Sequence, residues 1–385
     1  MAIAISFIAL YFYLDLNKLH ALYYGADNGI FLQTLVNFAH TGSAFNWAEM
    51  RSHWYVHDSW LLITLVPFVR MYPYQETLIA AQVCMIGFAA VGLYAFSRLV
   101  GVEKLPAILL SMAFLIAPSV QGFAYNDFSE SLFEPLLIFG LAGAVYKRSI
   151  FWVVLFAQAL LGVKEDVGLF LIWFGVIGAI WYDRKLGGIV TILALVNVVS
   201  YYLIVGFFGQ HASMPRYALS WPHPTQNIAF LIETLVPFAF APLFLRWRVF
   251  VVLPLLAELF LANDFHFPFG RTGVHYTVAL ICLFAVATAL VLREHPRLAR
   301  WSLALSCIMA LFFNTTVLHV GRHLYRADDK KYEAARALVA RQDPAVFRLV
   351  DEGAWSVAAG DVNARLIGFG HARLREKPAW NTSKQ

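Results

Sequence analysis

The chain has 385 residues, 60% of them hydrophobic and 14% charged, with a formal net charge of +5. A soluble domain carries about 25% charged residues, so this composition excludes a water-soluble globular protein and specifies a polytopic membrane protein. The basic residues are spread over loop ends and are not gathered with aromatics into a patch, which excludes a nucleic-acid binder.

A spanning helix needs about 20 apolar residues. On that measure about eleven spans are expected, over residues 1–16, 76–98, 105–122, 131–146, 149–163, 166–182, 187–207, 227–245, 249–263, 274–292 and 301–319. The first run has no basic flank and no small-residue cleavage site, so it reads as a retained span. Between it and the second lies a long loop, 17–75. There "IFLQTLVNF" reads as an amphipathic helix along the interface. "SWLLITLVPFVRMYP" is interrupted by Pro67 and Arg70, so it reads as a juxtamembrane or re-entrant helix. Cys84, Cys282 and Cys307 fall inside apolar runs and read as small core residues.

Lys and Arg in short loops orient the chain. One set of loop ends carries Arg98, Lys104, Lys147, Arg148, Arg184, Lys185, Arg246, Arg248, Arg293, Arg297 and Arg300. The opposite set carries only Lys18, Arg51, Arg70, Lys164, Arg216 and Arg271. The N-terminus is therefore expected inside. The first long loop and the segment 321–385 are expected outside. That last segment is polar and reads as a small extracytoplasmic domain, with a helix over "KKYEAARALVAR" and a strand over "WSVAAG".

The same count places the unusual polar groups outside: Asp27, His53, His57, Asp58, Asp127, Glu130, Lys164, Glu165, Asp166, His211, Arg216, Asp264, His266, Arg271 and His275. "KED" joins two apolar runs with no room for a loop. Charge at that depth costs about 2.5–3.5 kcal/mol per residue, which disfavours an idle, unpaired arrangement. Asp127 and Glu130 suit the N-terminus of the span that follows. Glu233 and Glu258 lie inside spans, as structural partners or as cavity-facing groups. Asp27 stands between Gly25 and Gly29, which reads as a tight turn, with Asp27 as the N-cap of the next helix. No His or Cys spacing selects a metal site, so a divalent metal stays an open option only.

Five elements, in order, resemble the bacterial and archaeal membrane family called domain of unknown function 2079. They are "ADNGIFLQTLVNFAHTG", "HDSWLLITLVPFVRMYPYQETLIAAQ", "YNDFSESLFEPLL", "GVKEDVGLFL" and "GVHYTVAL". The chain departs from the family at Ser129, where a His is usual after Asp-Phe. Through that family it is similar to the GT-C superfamily of membrane glycosyltransferases. The resemblance implies inverting sugar transfer from a polyprenyl-phosphate carrier to a lipid or glycan acceptor on the outer face. Asp27, in the first outer loop, is then the expected base or orienter of the acceptor. Asp127, Glu130, Glu165 and Asp166 are the other acids. Lys164, Arg216 and Arg271 are the expected contacts of the carrier phosphate, and His57 and His275 are expected either to join them or to assist proton transfer. The rival readings are a transporter or lipid-carrier flippase, with polar groups open to both faces, and a non-catalytic assembly subunit.

Overall fold

The computed structural model describes residues 1–208, 224–261, 277–313 and 328–340, two short strands at 348–350 and 364–366, and Val357 and Ala359. Helix occurs in each of the eleven segments expected to span, but the helices differ in length. Among the described residues, three are long and apolar enough to cross a membrane: α1 (Ala2–His20), α4 (Gln75–Leu99) and α10 (Arg184–Phe207). A fourth crossing requires joining α5 (Lys104–Ile116) to α6 (Pro118–Tyr125), which meet at 52°. The bend has a covalent cause: Pro118 has no N–H to donate, and it pushes Ala117 out of the helical region, to ψ 132°. The remaining elements are shorter. They are α7 (Glu134–Tyr146), α8 (Ile150–Leu161), α9 (Glu165–Trp181), α11 (Pro224–Leu235), α12 (Leu253–Leu261), α13 (Val278–Leu292) and α14 (Leu298–Phe313).

The chain divides into two compact units. The first comprises 1–15, 54–64 and 79–325; the second comprises 16–53, 65–78 and 326–385. Within the first unit, α9 and α10 form its closest helix pair. Asp183 begins α10 by accepting hydrogen bonds from the N–H groups of Lys185 and Leu186, at 3.0 and 3.1 Å. A Cβ on Gly187 would lie 2.1 Å from the Ala179 nitrogen and 2.5 Å from the Gly175 oxygen, both backbone atoms. Only glycine permits this approach. Gly187→Val should therefore force the two helices apart and cost about 1–3 kcal/mol or more, read as a lower thermal midpoint in detergent. An unchanged midpoint would show the pair to be looser than this.

Only 22% of the apolar window of α10 is buried, against 50% of that of α4. α10 therefore exposes Ile192, Val196, Val199 and Leu203 as a lipid-facing stripe. Helix is interrupted again after α11, where Ala239 and Phe240 adopt left-handed backbone. The carbonyl of Pro237, orphaned by that break, accepts from the hydroxyls of Ser302 and Ser306 on α14. Irregular backbone is thus matched by polar side chains of a neighbouring helix.

The second unit holds α2 (Ala26–Thr41), α3 (Val66–Met71) and a hairpin of β1 (Phe45–Asn46) and β2 (Arg51–Ser52). A helix does cover "IFLQTLVNF", but it is not amphipathic: every residue from Asn28 to Asn37 is buried. Its polar side chains are used internally. Gln33 accepts from the Trp47 N–H at 2.8 Å, Asn46 donates to Thr34 and Glu49, and His53 pairs with Glu49 at 3.0 Å. These bonds hold the hairpin to the helix, and they give His53 a structural role. The helix expected in the C-terminal segment is α15 (Asp329–Ala340). Parallel strands β3 (Arg348–Val350) and β4 (Ala364–Leu366) follow. Most of "WSVAAG" lies outside the described residues.

Candidate functional site

The polar centre of the first unit is built where three chain segments meet. The corner between α8 and α9 supplies Lys164, Glu165 and Asp166. Lys164 occupies the N-cap position with extended backbone, so both acids fall in the first turn of α9, where the helix N-terminus favours negative charge. The loop 56–59 docks onto this corner. The Leu61 N–H donates to the Gly162 carbonyl at 2.8 Å. The Trp60 indole lies so close that a Cβ on Gly162 would sit 2.2 Å from it. Trp60 therefore packs against the backbone here.

That docking brings His57 onto Glu165. Nδ1 lies 3.0 Å from Oε1 and 3.2 Å from Oε2, and the Asp58 N–H donates to Oε2 at 3.3 Å. Burial alone would lower the His57 pKa, but the charge and hydrogen bond of Glu165 outweigh it and hold the imidazole above its ordinary 6.5. Burial pushes the Asp58 carboxyl up to about 6, against a hydrogen bond from Asn197 and with the Glu165 charge adding to the rise.

The third segment is 126–134. Gln82 on α4 donates to the carbonyls of Phe123 and Asn126 and accepts from the Ser129 N–H at 3.1 Å, so one amide pins this loop. The Ser129 hydroxyl caps the 3-10 turn Glu130–Phe133 by accepting from the Ser131 N–H. The cap expected of Asp127 or Glu130 is thus supplied by Ser129, the position where the resembled family has His. Glu130 is instead buried, accepts from Ser129 at 3.4 Å, and faces Lys164 Nζ at 3.3 Å. The exposures of the two side chains, 4% and 9%, make this a desolvated ion pair. It is the partnered arrangement that the cost of "KED" at depth demands.

Beneath the pair, Glu134, Asp166 and Glu258 line a cavity of about 30 Å³ with Ser131. That is room for a water molecule or two. The Lys164 charge reaches all three carboxyls. Asp166 Oδ1 is buried there without a hydrogen-bond partner. Among the described residues, no three His, Cys, Asp or Glu side chains converge in a way that could hold a metal ion.

The structure therefore gathers His57, Asp58, Glu130, Lys164, Glu165, Asp166 and Glu258, all singled out in the sequence, and adds Gln82, Glu134 and Asn197. Asp127 is only half-buried. Asp27 belongs to the second unit. It is exposed, at the second position of α2, and the N-cap is Gly25, which makes no side-chain bond. The tight turn expected of the two glycines is absent: Gly25 has φ −82°, open to any residue, and Gly29 is buried inside the helix. Arg216, Arg271 and His275, with His211, Asp264 and His266, lie outside the described residues.

Among solved structures, the crystal structure of ArnT from Cupriavidus metallidurans bound to undecaprenyl phosphate is similar. The TM-score is 0.58 and the identity 13%, over 94% of this chain and 85% of that one. At that identity the likeness is one of fold, and the fold is ArnT-like. No curated protein matches. The family model described as "Predicted membrane protein (DUF2079)" matches residues 18–218. That match spans just over half of the chain, which belongs to the DUF2079 family of predicted membrane proteins.

Proposed function

We propose that the protein is an inverting membrane glycosyltransferase, which moves a sugar from a polyprenyl-phosphate carrier to an acceptor hydroxyl on the extracytoplasmic face. The observation that carries this reading is the fold shared, over nearly the whole chain, with a protein crystallised with undecaprenyl phosphate. The chain then crosses the bilayer about eleven times, with its N-terminus cytoplasmic and its C-terminal segment, 321–385, extracytoplasmic.

In an inverting transfer, a base takes the acceptor proton and the acceptor oxygen bonds to the anomeric carbon. The carrier phosphate leaves from the opposite side with the bonding electron pair. The imidazole of His57 is the base. Glu165 engages Nδ1, orients the ring, and makes Nε2 the basic nitrogen of the tautomer protonated on Nδ1. Lys164 stabilises the departing phosphate, where its charge acts in a partly dry site. Arg216, Arg271 and His275 are the further phosphate contacts. A second reading makes Asp27 the base, favoured by its place in the first outer loop. Against it, Asp27 is exposed in the first turn of α2 and belongs to a different compact unit from the polar centre.

The direct test supplies purified protein in detergent with a prenyl-phosphate-linked sugar and an acceptor extract, and measures release of prenyl phosphate. Failure to turn over any such donor would overturn the reading in favour of transport or assembly. The pH profile follows from the same geometry. The base must be neutral, so kcat/KM should fall as pH drops through the His57 pKa, at a midpoint above 6.5. Glu165→Gln removes the charge that raises this pKa, so the midpoint should move to lower pH. An unmoved midpoint would separate His57 from the chemistry.

A further inference from the structure

A second, larger cavity lies at the other end of the same helices. It measures about 460 Å³, within the size range of small-molecule sites, about 300–1,000 Å³. Its walls are almost wholly apolar, formed by Ile138 on α7, Phe170, Phe174 and Ile177 on α9, and Leu283 and Val286 on α13. Its mouth is different. Tyr146, Trp181 and Tyr182 stand there with Asp183 and Arg248. The Arg148 guanidinium lies over the Tyr182 ring at 5.6 Å and 3.9 Å from Asp183. Lys147, Arg184 and Lys185 are exposed beside it. Asp183, an acid that lines the cavity, caps α10 through Oδ1 and faces Arg148 through Oδ2.

We infer that this cavity holds one acyl chain of an anionic glycerophospholipid, whose phosphate is bound by Arg248 and its basic neighbours. Three observations converge on that occupant. Aromatic rings with basic side chains mark a membrane interface, and basic pockets between helices suit anionic headgroups. The cavity follows α9 from Trp181 to Phe170, which at 1.5 Å per residue is about 17 Å. One leaflet of a hydrocarbon core about 30 Å thick offers about 15 Å, so the depth matches one acyl chain and is short for a polyprenyl tail. Finally, Ile138 and Phe170 also wall the carboxylate-lined cavity. A lipid inserted the other way round would press its phosphate on Glu134, Asp166 and Glu258. Charge therefore fixes the head at the basic mouth. The positive residues also serve as orienting charge in short loops, but Arg248 lines the cavity itself.

The inference stands apart from sugar transfer, and its test uses binding alone. Delipidated full-length protein in detergent is offered palmitoyl-oleoyl phosphatidylglycerol, phosphatidylcholine with the same chains, or inorganic phosphate, and retained lipid is counted by native mass spectrometry. Phosphatidylglycerol should be retained about tenfold over phosphatidylcholine, a difference of about 1.4 kcal/mol, and free phosphate should not displace it. Arg248→Gln should bring the two lipids towards equality. Val286→Trp should fill the cavity and reduce retention of both. If Val286→Trp fails to fold, Arg248→Gln carries the test alone. Equal retention of both lipids by the unaltered protein would overturn the inference. So would an Arg248→Gln variant that keeps the preference, a folded Val286→Trp variant that retains as much lipid, or displacement of phosphatidylglycerol by equimolar undecaprenyl phosphate.

Discussion

His57→Gln should reduce transfer about 10²–10⁴-fold, the range that a positioned general base contributes. The glutamine keeps a polar side chain against Glu165 but has no basic nitrogen. The loss should therefore appear in kcat, with KM for the donor little changed and the thermal midpoint near that of the unaltered protein. Asp27→Asn is the companion. If His57 is the base, this substitution at an exposed residue leaves most of the activity. If Asp27 is the base, it abolishes transfer while His57→Gln remains active. The pair assigns the proton to one unit or the other, because Asp27 and His57 belong to different compact units. An active His57→Gln enzyme would remove the histidine from the mechanism.

Lys164→Met should have the largest effect on stability. It leaves Glu130 buried, its ammonium partner gone, with 4% of its side chain exposed. Breaking a desolvated pair from one side costs about 3–5 kcal/mol. Most of that cost is the stranded charge, so Lys164→Met combined with Glu130→Gln should recover much of the loss. The measurement is the thermal midpoint of the three variants in one detergent, read as a double-mutant cycle. A double variant whose loss equals the sum of the two single losses would mean that the pair contributes no coupling. Activity serves as a separate readout. A double variant that regains stability without regaining transfer would show that Lys164 also acts on the departing phosphate.

The two halves of the site were not equally legible in the sequence. Lys164, Glu165 and Asp166 stand out because three charges between apolar runs have an energetic cost that any reader of the sequence can see. The pairings they make do not. His57 and Glu165 are 108 residues apart, and nothing local announces that the loop 56–59 will dock on that corner. Gln82 and Asn197 are lone amides inside apolar helices, the commonest kind of polar residue to pass over. Glu134 precedes Pro135 at a helix start, where an acid needs no special explanation. The positions of the apolar helices were legible because hydrophobic runs are additive over a window. Their lengths were not, because Pro118 and the left-handed backbone at Ala239 and Phe240 cut helices that hydropathy reads as continuous. Asp27 misled for a related reason. "GADNG" contains the residues of a turn, yet the backbone there is already helical at Ala26.

One contact bears on how the protein is made. Glu76, at the start of α4, has 14% of its side chain exposed; it accepts from the Tyr332 hydroxyl and lies 3.6 Å from Arg336. These partners emerge from the ribosome 256 or more residues after it. At about 5–20 residues per second, Glu76 waits roughly 13–50 s for them. During biogenesis the second unit therefore stays open until the last sixth of the chain arrives. A nascent chain stalled before α15 presents the Glu76 carboxylate without Tyr332 and Arg336.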